Sequence, residues 1–134
     1  MSALTNDSRP VLTGEDVVLV RQLVREWSVA AGFSLVDQTK LITAASELAR
    51  NILQYGGGGK VHIQSLNQGA KRGIRLVFED EGPGIADINQ ALKDGFTTGG
   101  GLGLGLGGAK RLVNEFDIQS QPGEGTRVTI LRWR

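Results

Sequence analysis

The feature that most constrains this chain is a run of glycine and leucine, GGGLGLGLGG, at residues 99–108. The run leads directly into AKRLVNEF, which has the spacing of an amphipathic helix. Glycine lets the backbone approach another group closely, and the first turn of a helix has free N–H groups and a positive dipole end. The segment therefore predicts a site for the phosphates of a nucleotide. A flexible linker is the alternative, although the spacers Leu102, Leu104 and Leu106 favour burial.

Two common phosphate-binding patterns do not explain this run. Residues 103–108 match G-x-G-x-x-G, but the dinucleotide-binding form of that pattern follows a strand and has an acidic residue about 20 positions later. Here residues 94–98 predict a loop, and about 20 positions on the chain has reached the turn of residues 121–124. The pattern G-x-x-x-x-G-K-[ST] does not occur in the sequence. Other segments of the chain must therefore identify the site.

Composition excludes several classes of function. The 134 residues suffice for one compact domain, and a formal net charge of +1 does not favour a nucleic-acid partner. The chain has no cysteine, which excludes a thiolate site. Its single histidine, His62, argues against a histidine-based metal site. No apolar run approaches the roughly 18 residues of a membrane helix, and the N-terminus lacks a signal-peptide core. We therefore expect a soluble, cytoplasmic domain that does not engage a membrane.

Hydrophobic periodicity and turn residues predict an α+β fold. Residues 1–9 are polar and are expected to be disordered. The predicted elements that follow are a short strand at 11–12, helices at 13–32 and 34–55, a hairpin of strands at 60–66 and 73–80, a short helix at 86–93, a mobile loop at 94–101, a helix at 103–116, and strands at 117–120 and 126–133. This order predicts a single domain over residues 10–134. We expect a two-layer α/β sandwich with helices on one face of a mixed, mostly antiparallel sheet.

The second predicted helix carries a polar group among apolar neighbours. Glu47 and Asn51 are four residues apart and share a face, and Arg50 lies beside them. Because alanine and leucine flank these residues, the pattern indicates a buried polar site. The alternative is an exposed helix face with a Glu–Arg pair.

The second strand of the predicted hairpin ends in an acid on its apolar side. Asp80 has the same parity as Ile74, Leu76 and Phe78, so its carboxylate is expected on the buried face. Burial of a carboxylate is costly unless it meets a partner, and the amino group of a ligand is one such partner. The alternative is ordinary turn chemistry, because the glycines and proline of residues 82–84 follow directly.

Three motifs now stand in order along the chain: Glu47-x-x-Arg50-Asn51, Asp80-x-Gly82-x-Gly84 and Gly101-x-Gly103-x-Gly105. Each motif alone is weak, but their order and spacing resemble the GHKL superfamily of ATPases and kinases, which includes gyrase, Hsp90, histidine kinases and MutL. The resemblance covers residues 10–134. It implies the Bergerat-type ATP-binding fold, with ATP and Mg²⁺ bound.

The resemblance implies a role for each matching residue. Asn51 corresponds to the ligand of Mg²⁺, to which it offers a neutral oxygen donor. Asp80 corresponds to the aspartate that accepts a hydrogen bond from the exocyclic amine of adenine. Glu47 corresponds to the carboxylate that acts as general base in some members.

Further residues follow from the same resemblance. Glycines at the second and third motifs would let the backbone turn beneath the base and surround the phosphates: Gly82 and Gly84, then Gly101, Gly103 and Gly105. Thr126 would lie near adenine and Asp80, and residues 94–101 would form a lid. Arg50, Lys110 and Arg111 are candidates for phosphate contacts, although an exposed helix face explains Lys110 and Arg111 equally well.

The length of the chain indicates which members of the superfamily it resembles most. We expect no phosphoacceptor helix pair ahead of this domain, and gyrase-type and Hsp90-type enzymes are far longer. Stretches at residues 36–38, 46–52, 94–96 and 110–112 resemble the switch serine/threonine kinases of the bacterial stressosome. That resemblance implies phosphorylation of STAS-domain proteins and, after release, activation of a PP2C-type phosphatase. An anti-sigma factor that sequesters a sigma factor in an ATP-dependent way, or a scaffold that binds no nucleotide, is the alternative.

Overall fold

The computed structural model of the chain describes residues 2–84 and 106–134. The described residues form five strands and three helices, in the order β1 (Ser2–Val11), α1 (Gly14–Ala30), α2 (Leu35–Gly56), β2 (Gly59–Gln68), β3 (Lys71–Asp80), α3 (Leu106–Arg111), β4 (Glu115–Ser120) and β5 (Thr126–Trp133). The helix predicted at residues 86–93 and the lid predicted at 94–101 lie outside the described residues.

The strands form one sheet in the order β1–β2–β3–β5–β4. Every strand pairing in the described ranges is antiparallel, and the predicted hairpin of β2 and β3 is confirmed. Helices α1 and α2 pack against one face, and this side carries the core side chains that are almost fully buried, among them Ile63, Leu76 and Phe78. The opposite face is polar: Arg75 Nε donates to Gln64 Oε1 over 2.8 Å. The predicted α+β sandwich is confirmed.

The two long helices begin where capping residues predict. Thr13 accepts a hydrogen bond from the Asp16 N–H, and the Asp16 side chain accepts from the Thr13 N–H, which together form a capping box for α1. Ser34 caps α2 by accepting from the Asp37 N–H. Gly57 ends α2 with φ of 74°, a left-handed conformation that glycine adopts without strain. None of the described helices is both long enough and apolar enough to span a membrane.

Two predictions of secondary structure are wrong. Residues 1–9 were expected to be disordered, but β1 (Ser2–Val11) pairs with β2 as the edge strand. Strand pairing uses backbone groups, so polar side chains do not prevent it. The polar side chains of the two strands also contact each other on the exposed face, where Ser8 Oγ lies 2.6 Å from His62 Nδ1. The helix predicted over residues 103–116 ends at Arg111, because Asn114 N–H donates to the carbonyl of Leu131 over 2.9 Å and β4 begins at Glu115.

Candidate functional site

A cleft opens between the C-terminal half of α2 and the ends of β3 and β5. We refer to it as the central cleft, and its lining comprises the apolar and aromatic side chains of Leu48, Ile52, Tyr55, Phe78, Leu106 and Val128 together with Asn51, Asp80, Gly84 and Thr126. The last four were predicted from three separate segments of the sequence, and the fold brings them together. Apolar sides with a few convergent polar groups are typical of a pocket for a small ligand.

Asp80 is the carboxylate in the described lining of the central cleft. It ends β3 and pairs with Thr126 across β5. Its Oδ1 accepts from the N–H of Gly82 over 2.9 Å, and the Thr126 N–H also bonds to the carboxylate. Burial raises the pKa of Asp80, while these two hydrogen bonds act in the opposite direction. The carboxylate is therefore partly desolvated, and a ligand that donates a hydrogen bond to it would compensate.

Glycines let three backbone segments close around Asp80. A Cβ added at Gly56 would lie 2.5 Å from the Cβ of Asp80, and one at Gly82 would lie 2.6 Å from the Cα of Gly56. Gly125 has φ of +79°, and its added Cβ would lie 2.9 Å from the Cα of Glu81. Real Cβ atoms do not approach other atoms this closely, so each position requires glycine. The close approach holds the carboxylate between α2, the turn after β3 and the start of β5.

Thr126 is oriented by the turn between β4 and β5. Ser120 Oγ donates to the carbonyl of Gly125 over 2.9 Å and lies 2.8 Å from Thr126 Oγ1. Because the Ser120 hydroxyl has only one hydrogen, which it donates to Gly125, Thr126 is the donor in the second bond. The lone pairs of Thr126 Oγ1 are not used in that bond. The same turn contacts the segment after β3, where the Gly123 N–H donates to the Pro83 carbonyl over 2.7 Å. Gly84, with φ of +76°, packs against Gln121 in this contact.

Other predicted residues are not among those that line the described part of the cleft. Glu47 sits one helical turn before Asn51, and its Oε1 lies 3.1 Å from Arg50 Nη1. The Glu47 side chain is 33% exposed and that of Arg50 56%, so this is the ion pair that the alternative interpretation expected. Within the described residues, neither of them nor the exposed Lys110 belongs to the lining. Gly101, Gly103 and Gly105 lie outside the described residues.

Sequence reasoning missed one residue of the cleft lining and one glycine that packs against Asp80. Tyr55 lines the cleft, and its spacing of four residues from Asn51 and seven from Leu48 was a signal that it shares their helix face. Gly56 contacts the Asp80 side chain, but nothing in the local sequence distinguishes it from the three glycines that follow. Only the packing of α2 on β3 selects it.

The chain is similar in sequence to a known family of ATPases and to individual proteins. Residues 36–134 match the family described as histidine kinase-, DNA gyrase B-, and HSP90-like ATPase. The chain is 46% identical over 123 residues to the serine/threonine-protein kinase RsbT of Bacillus subtilis, which covers 92% of each chain. It is 32% identical over 119 residues to an anti-sigma F factor of Thermoanaerobacter sp., with 84% of this chain and 82% of that relative covered.

A solved structure shows the same fold. The RsbU and RsbW domains of a Mycobacterium tuberculosis protein match with a TM-score of 0.63 and 21% identity, over 97% of this chain and 33% of that longer chain. The family match covers most of the chain and includes α2, β3 and β5, the elements that form the central cleft. The resemblance stated from the three motifs is confirmed: the chain belongs to the family of histidine kinase-, DNA gyrase B- and HSP90-like ATPases.

Proposed function

We propose that the protein is a serine/threonine protein kinase of a bacterial partner-switching pathway. In this proposal it uses ATP and Mg²⁺ to phosphorylate STAS-domain proteins of a stressosome and, once released from them, activates a PP2C-type phosphatase in the cytoplasm. The observation that carries the proposal is the central cleft, in which the partly desolvated carboxylate of Asp80 lies among apolar side chains. The similarity to RsbT over 92% of both chains supports the kinase class.

The central cleft fits the adenine end of ATP. Phe78, Ile52 and Val128 offer apolar contact to a flat ring, and Asp80 offers an acceptor for its exocyclic amine. Burial has already removed part of the water around the Asp80 carboxylate, as its raised pKa indicates. A hydrogen-bond donor on the ligand therefore stabilises this carboxylate more than it would a fully hydrated one, because less water has to be displaced. Thr126 also lines the cleft, and because its hydroxyl donates to Ser120 it keeps acceptor capacity for a ligand.

The phosphate end is assigned from the family motifs. Asn51 lies on the lining of the cleft one turn from Tyr55 and would contribute an amide oxygen to Mg²⁺. In the described part of the chain no group of three or more His, Asp or Glu side chains could hold a metal ion. Phosphate and water would therefore supply most of the ligands, as they do at many Mg²⁺ sites. Gly82 and Gly84 would support the base, and Gly101, Gly103 and Gly105 the phosphates.

Bound ATP supplies the phosphoryl group, and the protein contributes position and charge. Glu47 is the candidate general base, which would accept the proton of the substrate hydroxyl. Its ion pair with Arg50 holds the carboxylate on the face of α2 that also carries Asn51. Lys110 and Arg50 stay candidates for contacts to the phosphates.

The test is phosphoryl transfer from radiolabelled ATP to a STAS-domain protein of the same genome in the presence of Mg²⁺. Asn51→Ala is expected to abolish transfer, whereas Gln54→Ala, an exposed amide three residues later on α2, is expected to leave it unchanged. Glu47→Gln is expected to lower transfer by about 10²- to 10⁴-fold while ATP still binds. Undiminished transfer by Asn51→Ala would refute the assignment of the metal ligand.

A second candidate function has its own support. The 32% identity to an anti-sigma F factor favours a protein that sequesters a sigma factor and uses ATP for switching. ATP binding without transfer, together with capture of a sigma factor rather than a STAS protein or phosphatase, would favour this alternative. If ATP and Mg²⁺ do not raise the melting temperature at all, the chain is a scaffold that binds no nucleotide.

A further inference from the structure

A single guanidinium joins three elements at one end of the helical layer. Arg132 of β5 bonds through Nη2 to Asp37 Oδ1 in the first turn of α2, over 2.5 Å. Its Nη1 donates to the carbonyl of Leu112, just beyond the C-terminus of α3, over 2.8 Å. The Arg132 side chain is 14% exposed and that of Asp37 26%. We refer to these two side chains and the Leu112 carbonyl as the Arg132 cluster.

The Arg132 cluster contacts the residue after a short helix that depends on tertiary contacts for its stability. Helix α3 (Leu106–Arg111) has six residues, too few to be stable without tertiary contacts. Its last carbonyls lack helical partners, and a cation at this end also complements the helix dipole. Two more hydrogen bonds connect the turn after α3 to β5. The Asn114 N–H donates to the Leu131 carbonyl, and the Trp133 N–H donates to Asn114 Oδ1.

The opposite end of α3 belongs to the central cleft. Leu106 lines the cleft and is 3% exposed, and Ala109 is buried in the core. A helix of six residues is only about 9 Å long, so fewer than two turns separate its two ends. We therefore expect a shift at its C-terminus to displace Leu106 in the lining.

We propose that Arg132 is a positioning residue for nucleotide binding, which acts through Leu112 and α3 to hold Leu106 in the lining of the central cleft. Asp37 is its counter-ion and keeps the guanidinium directed at the end of α3. The inference rests on the proposed function in one respect, namely that the central cleft binds ATP. Arg132 lines no part of the described cleft, so its effect on the ligand is indirect.

The hydrogen bonding of Arg132 is incomplete. Its Nε is buried with no hydrogen-bond partner among the described residues, which is a cost to the folded state. Arg132→Met leaves Asp37 without its counter-ion, but the Asp37 side chain is 26% exposed, so water can solvate its carboxylate. Arg132→Met is therefore expected to fold and to lose the contact with Leu112.

The experiment measures ATP affinity by calorimetry with Mg²⁺, at a temperature where circular dichroism shows each variant folded. Arg132→Met is expected to weaken ATP binding by about 3- to 30-fold. In the kinase assay it is expected to raise KM for ATP with little change in kcat. The matched control is Arg127→Met on the same strand, which removes the exposed ion pair with Glu79 and is expected to bind ATP as the unaltered protein does.

Two further readouts separate positioning from general damage. Arg132→Lys retains the charge but cannot form the two-pronged contact with Asp37 and Leu112, so an intermediate affinity is expected. This variant also carries the test if Arg132→Met does not fold. Hydrogen exchange at the amides of α3, measured without nucleotide, is expected to accelerate in Arg132→Met and not in Arg127→Met.

ATP affinity of folded Arg132→Met within twofold of the unaltered protein would overturn the proposal, as would an equal loss in Arg127→Met. The failure of the proposed function looks different, because the unaltered protein itself would then bind no ATP. Faster exchange in α3 with unchanged affinity would show that the Arg132 cluster holds the helix but does not position the ligand.

Discussion

Replacing Asp80 with asparagine separates what the carboxylate costs the fold from what it contributes to binding. An amide keeps an oxygen that can accept from the Gly82 N–H, but it has no charge to desolvate. Because burial raises the pKa of Asp80, the folded protein binds this proton more tightly than the unfolded chain does. Asp80 therefore lowers the free energy of unfolding as pH rises above its ordinary pKa of 3.8, until the folded pKa is passed.

With its single oxygen directed at the Gly82 N–H, the amide presents its NH2 group to the ligand, and the acceptor for the adenine amine is lost. A hydrogen bond to a charged group contributes about 1.5–3 kcal/mol, which corresponds to about 10- to 140-fold in the dissociation constant. We therefore expect Asp80→Asn to bind ATP more weakly by that factor, while its free energy of unfolding at pH 7 without nucleotide is equal to or above that of the unaltered protein.

The assay compares ATP with inosine triphosphate, which has a carbonyl in place of the exocyclic amine. Titration calorimetry is expected to show that the unaltered protein prefers ATP and that Asp80→Asn loses this preference. Denaturant unfolding between pH 4 and 7 measures the stability of both proteins without nucleotide. Glu81→Gln is the control, because it removes an exposed carboxylate from the next residue. If Asp80→Asn keeps both its ATP affinity and its preference for ATP, or if Glu81→Gln loses as much, the assignment of Asp80 is refuted.

Two further predictions concern stability. Gly123 and Gly125 have φ of +80° and +79°, but an added Cβ at Gly123 meets nothing within 4 Å, whereas one at Gly125 overlaps the backbone of Asp80. Thermal unfolding should therefore show that Gly125→Ala is less stable than Gly123→Ala by about 1–3 kcal/mol. Equal losses of stability in the two variants would contradict the close packing at Gly125. The hydrogen bond from Arg132 holds the pKa of Asp37 below its ordinary value of 3.8, so its contribution is present above that pH and is lost as pH falls through the folded pKa. Asp37→Asn should lower the free energy of unfolding by about 1 kcal/mol at pH 7, and the gap from the unaltered protein should close in acid denaturation below pH 3.8; a gap that does not depend on pH would contradict the ion pair.

Local patterns in the sequence predicted the elements that frame the cleft. Helix α2 follows from its apolar spacing and from Ser34 at its start, and both determinants lie within a few residues of the structure they produce. The parity of β3 placed Asp80 on the buried side, because alternation along a strand is a property of the backbone itself. The turn residues after β3 located the end of that strand for the same reason.

Other features were decided only when distant segments met. Polar residues at the N-terminus form β1 because β2, more than 50 positions away, offers backbone partners. Helix α3 ends at Arg111 because β5 supplies Leu131, Arg132 and Trp133 as partners for the turn that follows.

The same distinction applies to the site. Asn51, Asp80 and Thr126 were identified one by one from motifs, whereas the contact of Gly56 with Asp80 depends on how α2 lies across the sheet. The sequence by itself determined the two long helices, strands β2 to β5 and the buried face of α2 and β3, because neighbouring residues establish those. The tertiary structure decided the edge strand, the end of α3 and the closure around Asp80, because those depend on pairing free energies between groups far apart in the chain.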